Sequence, residues 1–114
     1  MAFDGDNACF AWVNFNGSGT VSIRDDYNVS SITDHGTGDY RINFSPALPH
    51  SNYCIVTQCT HDTSNTGHPT QAMSIKYNQS PTTSNVRLFT GPTGGAGSVG
   101  FKINALHAHA AVFA

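Results

Sequence analysis

The stretch 11–44 constrains the fold more than any other part of the chain. Apolar and polar residues alternate over 21–24 and 40–44, which is the period of a strand with one buried and one solvent-facing side. These runs are bordered by 16–19 (Asn-Gly-Ser-Gly) and 34–38 (Asp-His-Gly-Thr-Gly), and glycine readily adopts the positive φ angles that tight turns need. We therefore predict three strands and two turns in a β-meander, with no helix.

The remaining strands are predicted from the same alternation and from the segments that interrupt it. The first strand, 9–15, carries apolar residues on both faces, so we expect both faces to be covered. The second, 21–32, contains the pair Asp25-Asp26, where we predict a bulge or a bend at the sheet edge. The last run, 99–113, is too long for one strand of a small domain, so it should bend, change sheets, or consist of two pairing segments joined at Asn104-Ala105. The other predicted strands are 40–44, 53–60, 72–77 and 85–90.

Short strands at this regular spacing predict an all-β fold, an antiparallel β-sandwich of about seven strands. Residues 1–8 are polar and are interpreted as a flexible lead-in or a cut end, and 9–114 as a single domain. Only 11% of the residues are charged and Glu is absent, whereas about 25% is typical of soluble domains. Asn, Ser and Thr must therefore fill the solvent-facing positions of the sheets.

Charge and hydropathy exclude two classes of partner. The net charge is −2 and the five Lys and Arg residues form no cluster in the sequence, so we expect no nucleic-acid partner. No segment approaches the roughly 20 apolar residues of a spanning helix, so we expect no membrane insertion. The N-terminus lacks the pattern of a signal peptide, and we expect synthesis in the cytoplasm, as a whole chain or within a longer one.

Three cysteines and one pair of histidines are the candidates for metal or redox chemistry. Cys9, Cys54 and Cys59 lack Cys-x-x-Cys spacing, and we expect at least two of them to be buried thiols. His107 and His109 lie two apart and would project from one face of a strand. On a threefold axis, three such pairs would offer six imidazoles to a transition metal. The alternative, which we favour, is two neutral histidines in a subunit interface or bonded to the backbone, with no cofactor.

Two polar loops are the predicted contact surface for a ligand, 61–70 and 91–98, with 34–38 as a third candidate. The glycine-rich 91–98 lacks the Gly-Lys-Ser/Thr ending of a phosphate-binding loop. We predict no enzyme. Hydrolysis of a polysaccharide would need a pair of acidic residues in a groove; the only candidates are Asp25 with Asp26 or with Asp62, and Glu is absent. The contact residues expected in the loops are His61, Asp62, Asn65, His68 and Thr93.

A long ordered string of residues carries a resemblance to a known family. It comprises 11–19 (Ala-Trp-Val-Asn-Phe-Asn-Gly-Ser-Gly), 27–40, 43–44, 49–53 and 111–113, about half of the chain. This string resembles a recurring module in the tail fibres and related structural proteins of tailed bacteriophages. Segment 60–98 does not match in detail.

The resemblance implies a β-rich homotrimer at the distal end of a phage tail fibre, located in the virion. Its function would be non-catalytic adhesion to a receptor on the bacterial surface, either a glycan or a protein. In some such fibres repeated His-x-His pairs preceded by Gly coordinate iron, whereas Leu106 precedes a single pair here. The alternative function is a structural virion subunit, in the baseplate or as a capsid decoration, without a receptor of its own. A surface-polysaccharide hydrolase is the third and least favoured reading.

Overall fold

Eight β-strands make up the regular structure of the computed structural model, which describes residues 8–61, 71–92 and 104–114. These three ranges contain no helix, and therefore no helix that is long and apolar enough to cross a membrane. The strands are β1 (Cys9–Asn16), β2 (Ser22–Tyr27), β3 (Val29–Asp34), β4 (Asp39–Phe44), β5 (Cys54–His61), β6 (Gln71–Ile75), β7 (Asn85–Pro92) and β8 (Ala105–Phe113).

The strands form two antiparallel sheets of four strands each. The first sheet has the order β2-β1-β8-β5 and the second has the order β3-β4-β7-β6. Every neighbouring pair is antiparallel. The predicted all-β antiparallel class is therefore confirmed.

The predicted meander is wrong, because the chain changes sheets within the predicted second strand. Segment 21–32 is divided at Asn28 into β2 and β3, which belong to different sheets. Asn28 has a φ of 59°, a left-handed conformation that ends an extended strand. Its side-chain amide donates to the Phe10 carbonyl at 2.8 Å, and its own carbonyl accepts from the Ser45 amide at 3.0 Å. The division explains why eight strands are described where about seven were expected.

The predicted bulge lies one residue earlier than expected. Asn14 pairs with Asp25 and Phe15 pairs with Ile23, so Arg24 is the extra residue. Its guanidinium donates to the Phe15 carbonyl at 2.9 Å and to the Leu106 carbonyl at 2.7 Å. The bulge thus ties β2 to the start of β8.

Alternate residues of both sheets face one common core. Phe15 of the first sheet and Tyr40 of the second meet edge to face, with ring centroids 5.2 Å apart. Small residues of β8, Ala108 and Ala110, are buried opposite larger side chains, so the two sheets can approach closely. Further buried members of this core are Ala11, Val13, Ile42, Val86, Leu88 and Val112.

Tyr40 and its neighbours also connect two turns, 16–19 and 34–38, to the start of β8. The Tyr40 hydroxyl donates to the Gly17 carbonyl at 2.7 Å and accepts from the Ala105 amide at 3.2 Å. The Gly17 amide donates to the Ala105 carbonyl at 2.7 Å, and the Gly38 amide donates to Asn104 Oδ1 at 2.9 Å. These bonds fix the start of β8 at Ala105, where a joint between two pairing segments was one of the predictions. Residues 99–103 of the predicted last run lie outside the described residues.

Two expectations about burial are wrong. The first strand is not covered on both faces, since Trp12 is 37% exposed. At least two cysteines were expected to be buried, but Cys9 and Cys54 are exposed and Cys59 is only partly buried. Cys9 and Cys54 are free thiols. Cys9 and Cys54 both pair with Phe113 across β8 and lie near the strand ends, where the sheet leaves them open to solvent.

Candidate functional site on the outer face of the first sheet

A row of apolar side chains crosses all four strands of the first sheet, and its three larger members are exposed. The strand register places Trp12 of β1 opposite Tyr27 of β2 and Ala111 of β8, and places Ala111 opposite Val56 of β5. Tyr27 and Val56 are 52% and 53% exposed. The row therefore presents two aromatic rings and a branched aliphatic group on a surface where polar residues are the norm.

A polar row runs beside this apolar row, two residues further along each strand. Asn14 lies opposite Asp25 and His109, and His109 lies opposite Gln58. All four side chains carry hydrogen-bonding groups in a plane, as amides, an imidazole or a carboxylate. We call the two rows together the groove face.

The two rows border a groove of about 620 Å³. Its floor is low at Ala111, whose methyl group lies between the larger side chains of Trp12 and Val56. The groove is lined by Trp12, Asn14, Val56, Gln58, His109 and Ala111. A volume of this size suits a small molecule or one or two units of a polymer.

Arg24 positions one of the polar groups of the groove. Its Nη1 donates to Asn14 Oδ1 at 3.3 Å while the same guanidinium is held by two backbone carbonyls. Because the Asn14 oxygen accepts from Arg24, the plane of the amide is fixed and its nitrogen remains a donor. A side chain fixed before binding loses less entropy when a ligand binds.

His107 and His109 project from the same outer face, as predicted, and both are exposed. His109 belongs to the polar row, opposite Gln58, and His107 lies opposite Thr60. Within the described ranges, no group of three or more His, Cys, Asp or Glu side chains could hold a metal. A metal at this pair therefore stays a prediction.

The predicted contact loops are only partly described. His61 is the last residue of β5, whereas Asp62, Asn65, His68 and Thr93 lie outside the described residues. The third candidate, 34–38, is described: it is a turn in which the Asp34 carboxylate accepts from the Gly36 amide at 2.9 Å, and it lies at one end of the second sheet. It is therefore not part of the groove face.

The acidic pair considered for hydrolysis makes local bonds to β2 and its link to β3. Asp25 Oδ1 accepts from the Asp26 amide at 2.9 Å, and Asp26 Oδ2 accepts from the Val29 amide at 3.4 Å. Adjacent residues of a strand point to opposite sides. Asp25 and Asp26 therefore do not form a pair facing one groove.

Comparison with known proteins gives no family assignment. No protein-family model, curated protein or solved structure matches this chain.

The groove face was missed in the sequence because it depends on the pairing of β1 with β8. Those strands lie nearly a hundred residues apart, and the sequence does not show which residues of each come into register. One signal was available: Trp12 is the only tryptophan of the chain, and it alternates with core residues on the side opposite to them. An aromatic residue on the outer side of a strand is typical of a contact surface.

Proposed function

We propose that this protein is the receptor-binding domain of a phage tail-fibre tip, and that the groove face holds a glycan of the bacterial surface. The observation that carries the proposal is the exposed aromatic row beside a planar polar row. A sugar ring has apolar C–H faces, which suit the flat rings of Trp12 and Tyr27, and hydroxyl groups at its edge. Asn14, Gln58 and His109 offer donors and acceptors for those hydroxyl groups.

The proposal includes a mode of assembly. The two sheets form a sandwich, and three copies associate with their groove faces open to solvent. A single groove of this size would bind weakly, while three grooves on one tip raise the effective affinity through multivalency. The tail-fibre setting and the trimer rest on the resemblance of segments such as 11–19 and 27–40 to tail-fibre modules.

Binding to host cells by variants of the groove face tests this function. We expect Trp12→Ala and Gln58→Ala each to weaken binding about tenfold or more, because each removes a contact in the centre of the site. Tyr77→Ala is the matched control, since Tyr77 is 71% exposed and packs against Phe89 of the second sheet. Unchanged binding by Trp12→Ala, or an equal loss in Tyr77→Ala, would exclude the groove as the receptor site.

The apolar row also favours a second candidate function. Trp12, Tyr27 and Val56 would be suitable for a contact between subunits, as expected of a structural virion protein without its own receptor. In that case Trp12→Ala would lower the mass of the assembly in solution and purified protein would not bind host cells. Retained mass with lost cell binding supports the receptor-binding function instead.

A further inference from the structure

Three of the five basic side chains of the protein lie in one row on the outer face of the second sheet. Arg41 of β4 lies directly opposite Thr33 of β3 and Arg87 of β7. The row continues to Lys76, whose backbone amide donates to the Arg87 carbonyl at 2.9 Å. We call Thr33, Arg41, Arg87 and Lys76 the cationic row.

One carboxylate, Asp39, neutralises part of this row. Arg87 donates to it through Nε at 2.9 Å and Nη2 at 3.0 Å, and Lys76 donates through Nζ at 2.8 Å. The side chain of Asp39 is only 5% exposed. Among the described residues, three cations and one carboxylate give this face a charge of +2, whereas the net charge of the chain is −2.

Asp39 is bonded to Arg87 and Lys76, but not to Arg41. The Nε of Arg41 is buried and has no hydrogen-bond partner among the described residues, although a buried donor of this kind is normally paired. Like charges directly opposite each other on a sheet are destabilising, and Arg41 faces Arg87. The second acidic residue nearby, Asp34, has its carboxylate bonded to the Gly36 amide.

The charges of the cationic row also act on the neighbouring turn. The pKa of His35 is lowered by partial burial and then by the charges of Arg87 and Arg41. Thr33 adds a neutral donor: its hydroxyl oxygen accepts from Asn43 Nδ2 at 2.9 Å, so the hydroxyl hydrogen can be donated to a ligand.

We propose that the cationic row is a second binding site, specific for an oxyanion. Arg41 is the main residue that binds the oxyanion, and the Thr33 hydroxyl is an additional donor. The ligand group is a carboxylate or a phosphate, since guanidinium binds both through two parallel hydrogen bonds. The site does not depend on the groove face, which lies on the other sheet. An acidic surface polysaccharide is one natural source of such groups, and free phosphate is another.

The test is an NMR titration of the whole protein with two separate probes, glucuronate and inorganic phosphate. We expect at least one probe to shift the Arg41 Nε–H signal and to saturate. Arg41→Gln should weaken that probe about tenfold or more, and Arg41→Lys should weaken it less because the charge remains. Binding of glucuronate alone identifies a carboxylate site, and binding of phosphate alone identifies a phosphate site. Absence of binding by both probes overturns the proposal.

Asp26→Asn is the control for general electrostatic attraction. It changes the net charge by one unit in the direction opposite to Arg41→Gln, and Asp26 lies in the first sheet. At a specific site, the affinity for the probe changes only in the Arg41 variants. Nonspecific attraction would instead raise the affinity in Asp26→Asn and lower it in Arg41→Gln. Equal affinity of wild type and Arg41→Gln for the probe would also overturn the proposal.

Thermal unfolding provides a readout that does not depend on signal assignment. The bound probe should raise the Tm of the wild type by several degrees at saturating concentration, because it binds only the folded state. Arg41→Gln without a probe should unfold at the same or a higher Tm, since it relieves the repulsion of Arg87. A probe that raises the Tm of Arg41→Gln equally would contradict the assignment.

Discussion

Asp39 shows how a single buried carboxylate organises one side of the molecule. Its two oxygens receive three hydrogen bonds from Arg87 of β7 and from Lys76, which follows the end of β6. The first cause of its low pKa is the hydrogen bond from Arg87, which outweighs the opposing effect of burial. The ion pairs therefore stabilise β6, β7 and β4 together while the carboxylate is charged.

Asp39→Asn should lower the free energy of unfolding by about 2 kcal/mol at neutral pH, because charge-assisted hydrogen bonds are lost. The sign of the pH dependence follows from the lowered pKa. The stabilisation is present above the ordinary carboxyl pKa of 3.8 and is lost as the pH falls through the lower pKa of the folded state. Urea unfolding at neutral and acid pH measures the effect, with Asp25→Asn as an exposed control expected within about 0.5 kcal/mol. If the free energy of unfolding of Asp39→Asn fell further below that of the wild type as the pH was lowered, this account would be contradicted.

Gly17 is the second residue on which local packing depends. A Cβ atom there would lie 2.6 Å from the Tyr40 ring carbon Cζ and 2.9 Å from the Ala105 carbonyl oxygen. We expect Gly17→Ala to cost about 2 kcal/mol or more, since buried backbone and a packed ring must move. Gly19→Ala is the control: it has φ +67° but nothing within 4 Å, and should cost about 1 kcal/mol. Thermal unfolding that ranks the two variants in the reverse order would refute the close contact.

At the scale of elements, regular alternation allowed most strands to be predicted. β1, β4 and β5 lie within about a residue or two of the predicted 9–15, 40–44 and 53–60. The change of sheet at Asn28 was not predictable, because an Asn in an alternating run looks like any solvent-facing strand residue. The role of Asn28 depends on the hydrogen bond that its side chain donates to Phe10, eighteen residues earlier. The groove and the cationic row share this property, since both depend on which strands become neighbours.

Asn28→Val tests the change of sheet directly. A β-branched residue disfavours positive φ and cannot donate to the Phe10 carbonyl, so we expect a loss of about 2 kcal/mol or more. Asn28→Gly keeps the backbone conformation accessible and loses only the side-chain bond, for a cost of about 1 kcal/mol. Denaturant unfolding of both variants distinguishes the two contributions. If valine were tolerated as well as glycine, the left-handed residue would not be what separates β2 from β3.

At the scale of the whole molecule, the two outer faces differ in chemistry. The first sheet presents the groove face, with exposed aromatic and amide groups, and the second sheet presents the cationic row. A trimer whose subunits left both faces open would present three copies of each face to a cell surface.

The trimer is tested by the mass in solution. Sedimentation equilibrium should give three times 12.1 kDa, about 36 kDa. Trp12→Ala should keep that mass, because the groove face is open in the proposed assembly. A monomer near 12.1 kDa would remove the multivalent part of the proposal.

Trp12 makes the central claim directly measurable, because the only tryptophan of the chain lines the groove. Its fluorescence should change and saturate when host surface polysaccharide is added, since a bound sugar replaces water against the exposed ring. The same polysaccharide should give an equal signal with Tyr77→Ala and a weaker affinity with Gln58→Ala. Polysaccharide that binds the protein tightly while the emission of Trp12 stays unchanged would show that the receptor site lies elsewhere.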